Sequence, residues 1–422
     1  MRFLAMIGKS KVELLAPAGN FEKLKIALHY GADAVYAGGL KFSLRERSDN
    51  FTREEFAQAV KYTHSLNKKI YVAVNIYAHN HDIEELPSYI SFLRDLGVDA
   101  IIFSDPGVFE IVREIAPDMQ YHLSTQASTT NYRSVDFWKK QGVHRIILAR
   151  ELAYSEIKEI VSKSNIEIEM FVHGAQCMAY SGRCLISNYM TDRGANQGDC
   201  AQSCRWNYSL VEEKRPDEFH PVEEDSRGTY FFNSKDLSLI QSLPLVLDTG
   251  VHSIKIEGRV KTIHYVSTVV RAYRQALDIC CEGRENNYEP SRLTEELRKI
   301  SHRDYSTGFF FGNPGSEGQS TESSRPNKGM SFLGKIKEVN ELNEALVEIR
   351  GKFSIGDTIE IMRRNIDDDF LQTVVQISDE NKNPIEFTKP NTSAWVRFDK
   401  PVSANDILRM SDVTADHFLA TK

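Results

Sequence analysis

Four of the six cysteines in this chain stand in one stretch: Cys177, Cys184, Cys200 and Cys204, separated by six, fifteen and three residues. Thiolates are soft ligands that suit Zn²⁺ or an iron–sulfur cluster. The paired Cys-x2-Cys knuckles typical of structural zinc are absent, and the irregular spacing suits a 4Fe–4S cluster better. Zinc stays open on spacing alone, as does a metal-free arrangement of four small buried hydrophobes. Against the latter stand polar neighbours: Arg183, Asp199, Gln202 and Arg205. Cys280 and Cys281 fall in a helix-like stretch, 265–281, and read as ordinary thiols. His173, four residues before Cys177, could form with it the base and nucleophile of a hydrolase. A cysteine committed to a cluster, however, cannot also attack a substrate. The chain contains no His-Glu-x-x-His and no Gly-x-Ser-x-Gly.

The elements that must position these groups follow a repeated layout. Gly31–Gly39, Gly97–Asp105, Gly142–Arg150 and Gly250–Gly258 each begin with a glycine, continue as a short apolar run and end in polar residues. A helix-closing glycine, then a buried strand, then a polar strand end is the αβ unit of a parallel sheet. Segments 51–67 and 83–96 show helical spacing of apolar residues. Further strands are expected at 12–15, 70–74, 120–123 and 166–172, which makes eight, with 230–233 as a ninth candidate. No Gly-x-Gly-x-x-Gly follows the first strand. The pattern therefore predicts an α/β fold, a (β/α)8 TIM-like barrel over 1–312. A cysteine-rich insertion at about 174–229 interrupts it. Residues 313–328 lack large apolar side chains over most of their length and read as a linker. Short β-rich runs at 332–339, 344–349, 358–362, 371–377, 394–398 and 406–409 predict a small all-β barrel domain over 329–415. From Arg325 onward 14 basic residues face 16 acidic ones, so composition gives this domain no basic footprint.

The whole chain has 422 residues, a net charge of −7, 41% hydrophobic and 26% charged residues. That is a globular composition, and no apolar run approaches the roughly 18 residues of a membrane span. The apolar part of the first nine residues is too short for a secretory signal. These features point to the cytoplasm and away from membranes, and in that compartment clustered cysteines bind metal more often than they form disulfides. The mild negative charge argues against broad nucleic-acid binding but leaves room for a local basic groove.

Several motifs carry a family likeness. Glu169-Met-Phe-Val-His-Gly-Ala-Gln-Cys-Met-Ala-Tyr-Ser-Gly-Arg-Cys-Leu-Ile-Ser187 resembles the signature of the collagenase-like peptidase family, number 32 among the unclassified peptidases. Glu13-Leu-Leu-Ala-Pro-Ala-Gly19, His122-Leu-Ser-Thr-Gln126, Gly198-Asp-Cys-Ala-Gln-Ser-Cys-Arg-Trp206 and Lys255-Ile-Glu-Gly-Arg259 match as well. Within that family the chain is most similar to the tRNA hydroxylation branch. That likeness implies prephenate-dependent, oxygen-independent 5-hydroxylation of the wobble uridine of tRNA. It implies a 4Fe–4S cluster on Cys177, Cys184, Cys200 and Cys204, tRNA as partner and prephenate as co-substrate. It leaves room for a homo- or hetero-oligomer. The family name itself implies a second activity, peptide hydrolysis, and a non-catalytic RNA-binding protein is a third possibility. Prephenate carries two carboxylates, which arginine clamps with paired hydrogen bonds. Arg45, Arg150, Lys255 and Arg259 at the strand ends are the candidate anion clamps, with a salt bridge to Glu257 as the alternative role of Arg259. His173 is placed beside or behind the substrate, with a satisfied histidine at the strand end as the alternative.

Overall fold

The computed structural model describes residues 12–44, 50–177, 179–205, 224–225, 228–229, 234–314, 318, 327 and 329–411. Strands β1 (Glu13–Pro17), β2 (Ala34–Gly38), β3 (Lys69–Val74), β4 (Ala100–Phe103), β5 (Gln120–Leu123), β6 (Arg145–Ile147) and β7 (Glu167–Ala175) pair in parallel, each with the next. Beyond a short hairpin, β8 (Glu224–Asp225) and β9 (Gly228–Thr229), comes β10 (Asp236–Ser238). Then β11 (Ser253–Ile256) pairs with both β7 and β1 and closes an eight-stranded barrel. The eighth barrel strand is thus the fourth glycine repeat, and the 230–233 candidate lies outside the described residues.

Helices α1 (Phe21–His29), α2 (Arg53–Ser65), α3 (Asn80–Leu96), α4 (Pro106–Ile115), α5 (Tyr132–Lys140) and α6 (Tyr154–Lys163) follow the first six strands. The short α7 (Ile186–Thr191) lies in the cysteine segment, and α8 (Leu243–Asp248), α9 (Ile263–Cys281) and α10 (Pro290–Arg298) complete the outer layer. The four repeat glycines, at 31, 97, 142 and 250, all take positive φ, between 73° and 108°. A side chain there would be strained, which is why the repeat is legible. Thr52 opens α2 with a capping box to Glu55, and Asp105 caps α4 ahead of Pro106.

Two features extend the barrel beyond the expected layout. β7 runs on to Ala175 and there pairs antiparallel with β10, which in turn pairs with β12 (Tyr305–Ser306). This lip rises above the ring on the side where the cysteine segment leaves it. The C-terminal domain is a seven-stranded antiparallel sheet built from β13 (Ser331–Val339), β14 (Glu344–Ile349), β15 (Thr358–Met362), β16 (Phe370–Thr373), β17 (Ile377–Ser378), β18 (Ser393–Arg397) and β19 (Ile407–Met410). Its order is β16-β15-β19-β13-β14-β18-β17, a half-barrel. The single run expected at 371–377 is therefore two strands on opposite edges of the sheet. They part at buried Val374, whose N–H and C=O bond to the Gly356–Asp357 turn. The edge is closed by a side chain, because the Gln372 amide donates to the carbonyl of Arg397 at 2.7 Å.

This domain is built into the flank of the barrel. Met362, Ile366 and Ile407 belong to the barrel's own apolar core, and Tyr30 of α1 donates its hydroxyl to the carbonyl of Met362. Beside them Arg271, Glu296, Lys299, Glu360, Asp369 and Arg409 interlock. Among the described residues no helix is long and apolar enough to cross a membrane.

Candidate functional site at the barrel mouth

Side chains alternate along each strand, and four charged ones point into the barrel. Glu13 of β1 stands in register with Ser253 of β11, which stands in register with Glu169 of β7. Arg145 of β6 reaches Glu13 at 2.5 Å and Glu169 at 3.1 Å. Lys255 of β11 bonds the other oxygen of Glu169 at 3.1 Å. Glu169 is wholly buried. Burial pushes its carboxyl up, but Lys255 and Arg145 together outweigh that and hold it low. Tyr71 donates to Glu13 at 2.7 Å, and the His122 ring lies against Tyr71, kept neutral by burial and by the cations Arg145 and Lys255. Lys255, a candidate anion clamp by sequence, is therefore engaged inside the barrel with Glu169.

One level higher, the strand ends present Arg150, Glu257 and Arg259. Arg150 donates to the carbonyl of Ala175 at 2.8 Å, pairs with Glu257 at 3.3 Å and lies 3.9 Å over the Phe171 ring. The ion pair expected between Glu257 and Arg259 is thus made to Glu257 by Arg150. Arg259 is buried, and its guanidinium donates to Asn50 and to Ser43. It lies flat against Gly38 at the end of β2, where any Cβ would overlap it. Gly174 has φ +112°, and a Cβ there would come 2.5 Å from the carbonyl of Glu257. The lips of β7 and β11 thus cross at that glycine. Arg45 lies outside the described residues.

His173 is turned away from the mouth. The pairing of β7 with β11 slips at Lys255–Ile256, and a bulge of this kind re-aims the following side chain. The imidazole sits among the rings of Tyr265, Tyr273 and Tyr305. Burial holds it unprotonated, with a pKa down to about 3. Both of its ring nitrogens are without hydrogen-bond partners among the described residues. That environment does not form a His173–Cys177 dyad.

The cysteine segment is laced across several strand exits. Tyr77, past β3, donates its N–H to the carbonyl of Asn196, whose side chain accepts from the N–H of Cys184. The carbonyl of Gln126, past β5, accepts from both Tyr77 and Arg183. Glu151, past β6, takes the N–H of Ser181 at 2.6 Å and its hydroxyl at 2.8 Å. Cys177 is exposed, and Cys184, Cys200 and Cys204 are partly buried. The N–H of Ile186 points at the sulfur of Cys184, 3.4 Å away, and that of Gln202 at the sulfur of Cys200, 3.3 Å away. Among the described residues, only Glu296, Glu360 and Asp369 form a trio of ligand-type side chains whose ligand atoms lie within 4.8 Å of one another. The cations Arg271, Arg409 and Lys299 already neutralise that trio.

Sequence reasoning missed the anchoring residues Ser43, Asn50 and Asn196, and the interior pairs Glu13–Arg145 and Glu169–Lys255. Opposite charges at inward positions of otherwise apolar strands were the available signal for the latter.

The sequence pattern of peptidase family U32 matches residues 19–320, and that of the peptidase family U32 C-terminal domain matches residues 328–409. The chain is 42% identical over 401 residues to tRNA hydroxylation protein P1 of Bacillus subtilis, covering 94% of both chains. It is 38% identical to tRNA hydroxylation protein P of Escherichia coli, over 83% of this chain and 86% of that one. A collagenase of Porphyromonas gingivalis is 33% identical, over 83% of this chain and 86% of the relative. With the barrel and the half-barrel both matched, the chain belongs to peptidase family U32.

Proposed function

We propose that this protein hydroxylates tRNA, forming 5-hydroxyuridine at the wobble position with prephenate as co-substrate and a 4Fe–4S cluster on Cys177, Cys184, Cys200 and Cys204. What supports the reading most is the near full-length likeness to relatives named for tRNA hydroxylation. The donor set fits the cluster: four thiolates on one segment, two of them met by backbone N–H groups. When bound, the cluster supplies one-electron chemistry.

The chain's own residues supply the rest. Arg150 and Arg259 stand on the loops after β6 and β11, strands separated in the ring by β7 alone, and a dicarboxylate at the mouth would meet both. Glu257 sets the position of Arg150 and would yield to an incoming carboxylate, since exchange of one carboxylate for another keeps the arginine paired. Arg259 is preset by Asn50 and Ser43. The inward pair Lys255–Glu169 forms a charged floor. The peptidase reading has the named collagenase relative behind it, but His173 is enclosed by tyrosines and is not set to serve Cys177 as a base.

One anaerobic preparation, loaded with iron and sulfide, tests the proposal against both substrates. Incubation with unmodified tRNA and prephenate should yield 5-hydroxyuridine, with no cleavage of denatured collagen. Collagen cleavage that survives replacement of all four cysteines, with tRNA unchanged, would overturn it.

A further inference from the structure

Tyr180 and its neighbours present an unusual combination of strain and exposure. Ser181 has φ 45° and ψ 28°, a left-handed conformation uncommon for a non-glycine residue. It is buried, and the carboxylate of Glu151 grips both its N–H and its hydroxyl. Strain of this kind persists where the surroundings over-determine it. Here it closes a tight turn, in which the N–H of Arg183 returns to the carbonyl of Tyr180 at 3.0 Å. The turn holds the Tyr180 ring outward, 51% exposed. Arg183, also exposed, is fixed three residues on by a 3.0 Å bond from Nε to the carbonyl of Gln126, its guanidinium 5.6 Å over the Tyr77 ring. Leu185 continues the same exposed strip at 72%. A rigid backbone that holds an aromatic face in water, between Cys177 and Cys184 and three residues from an anchored arginine, has the makings of a stacking surface.

We propose that Tyr180 is the platform on which an unstacked base of a single-stranded RNA loop rests as it enters the barrel mouth, with Arg183 facing the adjoining phosphate. Glu151 is a positioning residue that acts through Ser181. The inference rests on the tRNA reading above and deepens it. A base must leave its stack to reach a site inside a barrel mouth, and single-stranded RNA is recognised largely by stacking on aromatic side chains with arginine nearby. The occupant is RNA rather than peptide because an exposed ring and an anchored arginine on one short turn match base and phosphate together.

The test uses the full-length, cluster-loaded chain and an RNA hairpin whose loop carries 2-aminopurine, a base whose fluorescence falls on stacking. The parent should bind the hairpin and quench the probe. Tyr180→Phe should do the same, because the ring alone stacks. Tyr180→Ala should bind about 5- to 100-fold more weakly and leave the probe bright at saturation, with iron content unchanged. Glu151→Gln should reduce quenching, since a neutral amide holds Ser181 less firmly than the carboxylate does. If Tyr180→Ala binds and quenches like the parent while the parent still hydroxylates tRNA, the platform is wrong and the tRNA reading stands. If the parent neither binds the hairpin nor modifies tRNA, both fall. Loss of binding to denatured collagen in Tyr180→Ala, with RNA binding intact, would assign the ring to a peptide and overturn the proposal.

Discussion

Replacing Glu169 with glutamine should weaken the barrel more than any exposed charge change. Glu169 is fully buried and pairs with Lys255 and Arg145, each at 3.1 Å. At an effective dielectric near 20, each contact carries about 5 kcal/mol of attraction, which desolvation partly offsets. Removing one member of such a group costs roughly 3–5 kcal/mol because its partner stays buried and charged. Arg145 keeps Glu13 and Glu167, so the loss falls mainly on Lys255 and the lower end of that range is expected. The pH dependence carries the signature. Burial already lowers the Lys255 pKa, opposed chiefly by Glu169, and the substitution lowers it further. Between that depressed value and the unfolded lysine value near 10.4, the unfolded chain binds more protons, so stability must rise with pH. The Glu169→Gln protein should therefore recover stability from pH 7 to pH 9.5, by at most about 1.4 kcal/mol per pH unit. In the parent, Glu169 gives a dependence of the same sign in the acid range. Its folded pKa is depressed, so its contribution is present above the unfolded carboxylate value and is lost as pH falls through the folded one. Urea denaturation followed by circular dichroism at several pH values measures both effects. A second replacement, Lys255→Met, should restore much of the loss. A Glu169→Gln protein less than about 1 kcal/mol weaker than its parent, with no recovery at high pH, would refute the reasoning.

Two other outcomes follow from the mouth. Gly174→Ala places a Cβ in a φ +112° position against the carbonyl of Glu257 and should cost about 1–3 kcal/mol by denaturation; prephenate binding should weaken with it, because Arg150 leans on Glu257. His173, with its pKa near 3 in the fold, stays neutral while the unfolded chain takes up a proton near pH 6.5, so stability falls with acid between those values. His173→Phe should flatten that slope by about one proton, and an unchanged slope would show that the ring is not buried neutral.

All eight barrel strands were legible because parallel strands covered on both faces appear as short apolar runs, each of the four repeats opened by a positive-φ glycine. The cysteine segment was legible from residue type alone. The interior ion group was not, because pairing Glu13 with Arg145 and Glu169 with Lys255 requires the register of four strands that lie far apart in sequence. His173 misled for a related reason. Strict alternation from Glu169 through Phe171 aims it into the barrel, and the slip against β11 removes it. Asn50 and Asn196 gave no signal, since single polar residues between the barrel elements carry no periodicity.

The most direct measurement is the iron and acid-labile sulfide content of anaerobically reconstituted protein, set beside a variant in which Cys177, Cys184, Cys200 and Cys204 are all alanine. The account predicts about four irons and four sulfides per parent chain and neither in the variant. Stoichiometric zinc without iron in the parent, or equal iron in both proteins, would contradict it.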